Sequence, residues 1–346
     1  MTGKPRVWIS RPTFPDVVAR LEPHFVVAAE PEETVFTAAG LAAKLAACDA
    51  AIVGLKERIG AQEIAAAARL RIIANLAVGF DNLDLPALTA AGILASNTAD
   101  VLNESVADYA WALLLGSARR MGAAERWLRA GHWHGTGFKA WLGLDTRGRT
   151  LGILGMGRIG QAIARRAAGF GMQVVYHNRS ALPRTIEDEC AARYVDKPAL
   201  LAQSDFLVLA LPLSDESRHA IGAAELARMK PTAVLVNIAR GGIVDDAALA
   251  AALAGGRLAA AALDVFEGEP DVHPALRELD NVILSPHIAS ATWDTRRAMT
   301  AMAVDNVLAL FGHGPHAGRP PSLLNPEALA TRPAPWIPQD KGIEHP

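Results

Sequence analysis

Leu151-Gly152-Ile153-Leu154-Gly155-Met156-Gly157-Arg158-Ile159-Gly160 is the stretch on which the fold turns. Its apolar start reads as a buried strand that breaks at Gly155, with further glycines at the third and sixth positions. Gln161 to Ala168 then reads as a helix. A dinucleotide site needs this order. The first glycine allows a tight turn, the second lets backbone approach a pyrophosphate, and the third packs helix on strand. Free N–H groups at the helix start then face the anion. The blander alternative is a plain strand–helix turn.

Outward from this turn, both flanks alternate strand and helix. Before it, short strands are expected at Val7–Ile9, Phe25–Val27, Ala50–Val53, Arg71–Ala74 and Ile93–Ala95. Helices are expected between them at Phe14–Leu21, Ala38–Ala47, Ile64–Ala68 and Leu85–Ala91. After Leu151, strands are expected at Val174–Tyr176, Phe206–Ala210, Ala233–Asn237, Ala260–Asp264 and Val282–Leu284. Such alternation predicts an α/β protein with two doubly wound parallel sheets. Ser105–Arg120 is apolar on most faces and reads as a buried helix; Thr292–Leu310 reads as a helix that returns the chain to the first domain. Glu125 to Arg149 holds Trp127, Trp133 and Trp141 among glycines. It is too aromatic for a solvated loop and too broken for a core element, which points to burial on a partner subunit. The tail from Gly312 is proline-rich and is expected to wrap the surface or be disordered.

Composition narrows the function classes. A chain of 346 residues suggests two domains, and 51% hydrophobic residues with a mean hydropathy of +0.18 supply their cores. The net charge of −2 makes no electrostatic case for nucleic acid or an anionic membrane. Cys48 and Cys190 are far apart and lack metal-ligand spacing, as expected for reduced thiols in the cytoplasm. No signal-peptide pattern or membrane-length apolar run is present. His132 and His134 lack a third nearby ligand, so no metal is expected.

Three residues carry candidate chemistry. Arg240 follows the strand ending at Asn237, where a guanidinium can grip a carboxylate and polarise a neighbouring carbonyl. Glu269 lies in the loop after Asp264, and His287 follows the strand ending at Leu284. A histidine beside a carboxylate is held in one tautomer and suits proton donation to a carbonyl oxygen as hydride arrives. Singly, each has an ordinary structural explanation. Their joint position at strand ends of one sheet favours chemistry.

Taken with Leu76–Asn82, Asn237–Gly241, Leu263–Phe266, Glu267–Pro270 and Pro286–Ile288, the chain resembles the D-isomer-specific 2-hydroxyacid dehydrogenases over residues 5 to 312. Within them it is most similar to the glyoxylate/hydroxypyruvate reductases, including the 2-ketogluconate reductase group. The resemblance implies a Rossmann cofactor domain, 102–287, inserted into a flavodoxin-like substrate domain, 1–101 with 288–346. It implies Arg240, Glu269 and His287 as the catalytic set, with His287 the acid–base. It implies a substrate carboxylate on backbone N–H groups of Val78 and Gly79, and Asp264 near the nicotinamide amide. The tryptophan-rich segment, about 120–149, matches the family's dimerisation arm and so implies a homodimer. Cofactor contacts are expected at Gly155, Met156, Gly157, Arg158, Ile159, Leu211, Pro212, Ile238, Ala239, Asp264, His287 and Ala289. Leu55, Ala77 and Trp141 are candidates for the substrate wall, Trp141 from a partner subunit.

The expected cofactor is NADPH, with NADH as a second possibility. The strand ending at Tyr176 runs into His177-Asn178-Arg179-Ser180, where an NAD enzyme places an acidic residue for the ribose hydroxyls. Arg179 can instead pair with a 2′-phosphate, with Asn178 and Ser180 donating. The expected reaction is reduction of a small 2-oxo acid (glyoxylate, hydroxypyruvate or 2-ketogluconate) to a D-2-hydroxy acid. The alternatives are a dinucleotide-binding regulatory protein of corepressor type and a dehydrogenase of another donor such as phosphite.

Overall fold

The computed structural model describes residues 3–135 and 137–331. Thr136 of the arm and the proline-rich tail beyond Thr331 lie outside the described residues. The chain divides into two compact units, one from its start to Leu102 together with the residues from Thr292, the other Asn103–Ala291. The second crossing falls after Ala291, so the turn following His287 stays with the His287 unit.

The first unit is built on five strands: β1 Arg6–Ile9, β2 Val26–Ala29, β3 Ala50–Val53, β4 Ile72–Asn75 and β5 Leu94–Ser96. All pair in parallel, in the order β2-β1-β3-β4-β5. This is the flavodoxin-like order. Strand residues alternate between two buried faces. Val7, Ile9, Ile52, Ile72 and Ala74 enter one core with Val304, Val307 and Leu308 of the helix Trp293–Leu310. Trp8, Ala51, Val53 and Ile73 enter the other with Leu41 and Leu45. Both faces are covered, which is why the strands read as apolar runs rather than alternating ones.

Several details differ from expectation for local reasons. Phe25 belongs to the turn before β2, its N–H bonded to the carbonyl of Leu21. The helix expected from Ile64 starts at Ala61, because the Glu63 carboxylate accepts the N–H of Gly60 and caps it. The described part of the tail is ordered onto β5. Leu323 bridges Ser96, and fully buried Asn325 takes the Ala95 N–H and donates to Ile93.

The second unit carries seven strands: β6 Thr150–Leu154, β7 Gln173–His177, β8 Ala192–Tyr194, β9 Phe206–Leu209, β10 Val234–Asn237, β11 Ala260–Leu263 and β12 Val282–Leu284. Their order is β12-β11-β10-β9-β6-β7-β8, all parallel. The chain winds outward from β6 in both directions, and the reversal between β6 and β9 creates the ligand crevice of such sheets. β8 is one strand more than expected. It has three residues, with charged Arg193 exposed between buried Ala192 and half-buried Tyr194, too short a pattern to stand out. The helix Asn103–Ala118 is buried on several faces, and the indole N–H of Trp111 donates to the Ile163 carbonyl. The tryptophan-rich segment is less broken than expected at its start: Met121–Arg129 is a helix.

Candidate active site

Two glycines of the turn are demanded by close packing. Gly155 has φ +100°, and a Cβ there would lie 2.6 Å from the Ala210 carbonyl. A Cβ on Gly160 would lie 2.3 Å from the Gly155 carbonyl oxygen, so helix Arg158–Ala167 packs directly on the turn. Gly157 differs: a Cβ there meets nothing within 4 Å. It caps that helix with no side chain on the leading N–H groups. An open glycine at an uncapped ten-residue helix start fits a dinucleotide pyrophosphate.

Neighbouring expected contacts converge on this edge. Leu211 and Pro212 follow β9, with the Leu211 nitrogen 2.7 Å from the Cβ position of Gly155. Asn178 accepts the Met156 N–H at 2.6 Å, so its side chain also braces the turn. Arg179 and Ser180 are exposed beyond β7. Glu187 is engaged elsewhere, accepting the Tyr176 hydroxyl at 2.9 Å and pairing with Arg184. Ile238 and Ala239 are buried just past β10.

Arg240, Glu269 and His287 come together beyond the carboxyl ends of β10, β11 and β12. His287 Nδ1 donates to Glu269 Oε2 at 2.9 Å, which leaves Nε2 to face a reactant. The other Glu269 oxygen accepts the Phe266 N–H at 3.0 Å. Burial raises the Glu269 pKa, but the His287 hydrogen bond and charge, the Phe266 N–H and the Arg240 charge outweigh it. The carboxyl therefore titrates below its ordinary value. Arg240 is braced through its own loop: Nη1 donates to the Ala239 carbonyl at 2.8 Å, and Asn237 donates to the Arg240 carbonyl at 3.1 Å.

Asp264 has a role that the sequence did not suggest. It is fully buried, and its carboxylate accepts Ser285 Oγ, the Ile288 N–H and the Ala289 N–H, at 2.7, 2.9 and 2.9 Å. Its carbonyl takes the His287 N–H at 2.8 Å. His287 sits at φ +54°, a costly conformation for a non-glycine residue, and Asp264 holds it there. Tyr109 joins from the helix Asn103–Ala118. Burial raises its pKa, opposed by its hydrogen bond to Ser285. Ser285 and Tyr109 escaped sequence reasoning because supporting residues carry no motif of their own, and Asn237 stood in a quoted run without a role.

In the first unit, the loop after β4 is pinned by its carbonyls. Carbonyls of Ala77, Val78 and Gly79 accept Thr98 N–H, Asn97 Nδ2 and Asn75 Nδ2 at 2.9, 2.8 and 2.8 Å. Among the described residues, no acceptor takes the N–H groups of Val78 and Gly79. Unpaired donors in a pinned loop suit a carboxylate. Leu55 is half-buried after β3 and Ala77 is buried. Trp141 packs on its own chain, edge-to-face with Trp127 at 5.4 Å and under the Arg120 guanidinium at 5.2 Å. His132 and His134 are exposed, and among the described residues no cluster of three potential ligands is suited to a metal.

Fold and site together define a dinucleotide-binding α/β oxidoreductase. A model of the family "D-isomer specific 2-hydroxyacid dehydrogenase, NAD binding domain" matches residues 111–289. The glyoxylate reductase of Thermococcus onnurineus is 46% identical over 95% of this chain and 98% of its own length. A glyoxylate reductase structure from Paecilomyes thermophila superposes with TM-score 0.84 at 34% identity, over 94% of this chain and 99% of that one. The NADPH-dependent glyoxylate/hydroxypyruvate reductase of Sinorhizobium meliloti, solved with NADP and malonate, gives 0.82 at 36% identity, over 94% and 98%. The chain belongs to the D-isomer-specific 2-hydroxyacid dehydrogenase family. No helix among the described residues is long and apolar enough to cross a membrane.

Proposed function

We propose that this protein reduces glyoxylate and related small 2-oxo acids, hydroxypyruvate and 2-ketogluconate among them, to D-2-hydroxy acids, with NADPH preferred over NADH. The observation that carries this reading is the His287–Glu269 pair with the Arg240 charge beside it. A nicotinamide dinucleotide held at Gly155–Ile159 would supply the hydride. Arg240 takes the substrate carboxylate and polarises the 2-oxo oxygen, with the N–H groups of Val78 and Gly79 as further carboxylate donors. His287 protonates that oxygen from Nε2 while Glu269 holds the ring by Nδ1. Leu55, Ala77 and Trp141 are proposed to limit substrate size.

The preference for NADPH rests on the exposed Arg179 and Ser180 at the end of β7 and on the engagement of Glu187 by Tyr176. A 2′-phosphate there meets a cation and no carboxylate. We also propose a cytoplasmic homodimer joined through the arm. Both cysteines are free and buried, and burial pushes the Cys48 thiol up to about 12, as for an unreactive packing group.

Absorbance at 340 nm with either cofactor and a panel of 2-oxo acids tests the proposal. Glyoxylate-dependent oxidation with higher kcat/KM for NADPH is expected, and Arg179→Ala should erase most of that preference. Equal use of both cofactors would remove the cofactor assignment. No oxidation with any acid would point to a dinucleotide-binding regulatory role instead.

A further inference from the structure

A second histidine–glutamate pair lies beside the first. His219 Nε2 is 2.7 Å from Glu267 Oε1, two residues before Glu269. The His219 N–H donates to the Gly242 carbonyl at 2.7 Å, two residues after Arg240. From there the chain runs as a short ladder along the Arg240 loop: Ile221 N–H to Ile243, and Asp245 N–H to Ile221. The same two loops touch without side chains. A Cβ on Gly241 would lie 1.6 Å from the Phe266 carbonyl oxygen, and Phe266 in turn donates to Glu269. Glu267 is fixed from the far side, its N–H donating to Asp246 Oδ2 at 3.1 Å.

We propose that His219 and Glu267 clamp the loop bearing Arg240 to the loop bearing Glu269, and are positioning residues for the reaction. The inference rests on the functional reading above. Two observations separate the clamp from ordinary packing. His219 adopts φ +49°, a conformation a non-glycine residue keeps only where its surroundings demand it. The pair is also about two-fifths exposed on each side, so it fills no core. An exposed pair adds little to global stability. Its worth lies in the geometry it holds, because small displacements of reacting groups are expensive in rate.

The test compares His219→Ala, His219→Gln, Glu267→Ala and the double alanine variant with the unaltered protein. Readouts are kcat and KM with glyoxylate and NADPH, fluorescence Kd for NADPH, and Tm. His219→Ala should lower kcat about 10-fold and raise KM for glyoxylate. Its Kd for NADPH and its Tm should stay near those of the unaltered protein, and His219→Gln should recover most of the activity. Glu267→Ala should match His219→Ala, and the double variant should lose no more than either. A substrate-free readout is the Nδ1–H signal of His287 in protein labelled with ¹⁵N-histidine, assigned with His287→Gln. It should broaden in His219→Ala and sharpen again in His219→Gln. Unchanged kcat, additive losses, or losses that follow Tm would overturn the clamp. If the unaltered protein reduces no 2-oxo acid, the functional reading falls. The His287 signal then decides the clamp alone, and an unchanged signal in His219→Ala ends it.

Discussion

His287 commits one ring nitrogen to Glu269 and leaves the other for a reactant, so its two substitutions separate cleanly. His287→Ala removes the proton donor, and kcat for 2-oxo acid reduction should fall about 100-fold or more. Glu269→Gln keeps a hydrogen-bonding partner but loses the carboxylate charge beside the ring, and a loss of about 10-fold is expected. Arg240→Ala should damage kcat and KM together, since one guanidinium both anchors and polarises. Steady-state kinetics with NADPH and glyoxylate reads all three; near-normal turnover by His287→Ala would refute its role. The Glu269 carboxyl titrates below its ordinary value, so its stabilising contribution is complete above the ordinary value of 4.5 and fades as pH falls through the lowered one. The positions of Arg240, Glu269 and His287 were legible in the sequence because each stands beside a strand end within a distinctive run. Asp264 was expected near the nicotinamide amide, but its structural role was not legible. That its carboxylate holds the His287 turn depends on three donors arriving from residues 285 to 289, about twenty residues further along.

At the scale of elements, Asp205 ties the start of the second sheet together. It accepts the Thr150 N–H at the head of β6 and Lys230 Nζ before β10, both at 2.9 Å, and its own N–H and carbonyl pair with Thr150 and Val234. Burial raises its pKa, but the Thr150 N–H and the Lys230 and Arg149 charges outweigh that and lower it. Asp205→Asn should therefore destabilise the fold by about 2 kcal/mol near pH 7. The sign follows from the lowered pKa: the ion's contribution is full above the ordinary 3.8 and fades as pH falls through the lowered value. The difference between the urea midpoints of the two proteins should be smaller at pH 3 than at pH 7, and a constant difference would contradict this account. Asn325→Ala should cost a similar amount, because it orphans the Ala95 N–H inside the first unit. Most strands were legible as apolar runs, since both faces of each parallel sheet are covered. β8 was not, because an edge strand of three residues with an exposed arginine lacks that signature. The Asn325 anchor was hidden for a related reason: a polar residue in a proline-rich stretch looks solvated until its partners on β5 are known.

At the scale of the molecule, the arm exposes apolar surface to an unusual degree. Phe138 is 98% exposed, with Leu142 at 67% and Trp133 at 59%. The proposed dimer accounts for these side chains, and Phe138→Glu with Trp133→Glu should shift the protein toward a monomer in analytical ultracentrifugation. An unchanged mass would place the interface elsewhere. The alternation of strand and helix, the glycine spacing and the absence of an acid after β7 are local patterns, each set by a handful of adjacent residues. They suffice for two doubly wound sheets, a dinucleotide turn and three candidate groups, because hydrophobic burial and backbone sterics act over such short stretches. Partnership is different. That Glu269 meets His287, that Asp264 braces its turn, that His219 bridges to Glu267, and that Val78 and Gly79 keep their N–H groups unpaired among the described residues are relations between residues distant in sequence or dependent on packed loops. Hydrogen bonding is short-ranged and directional, so only the folded chain decides them.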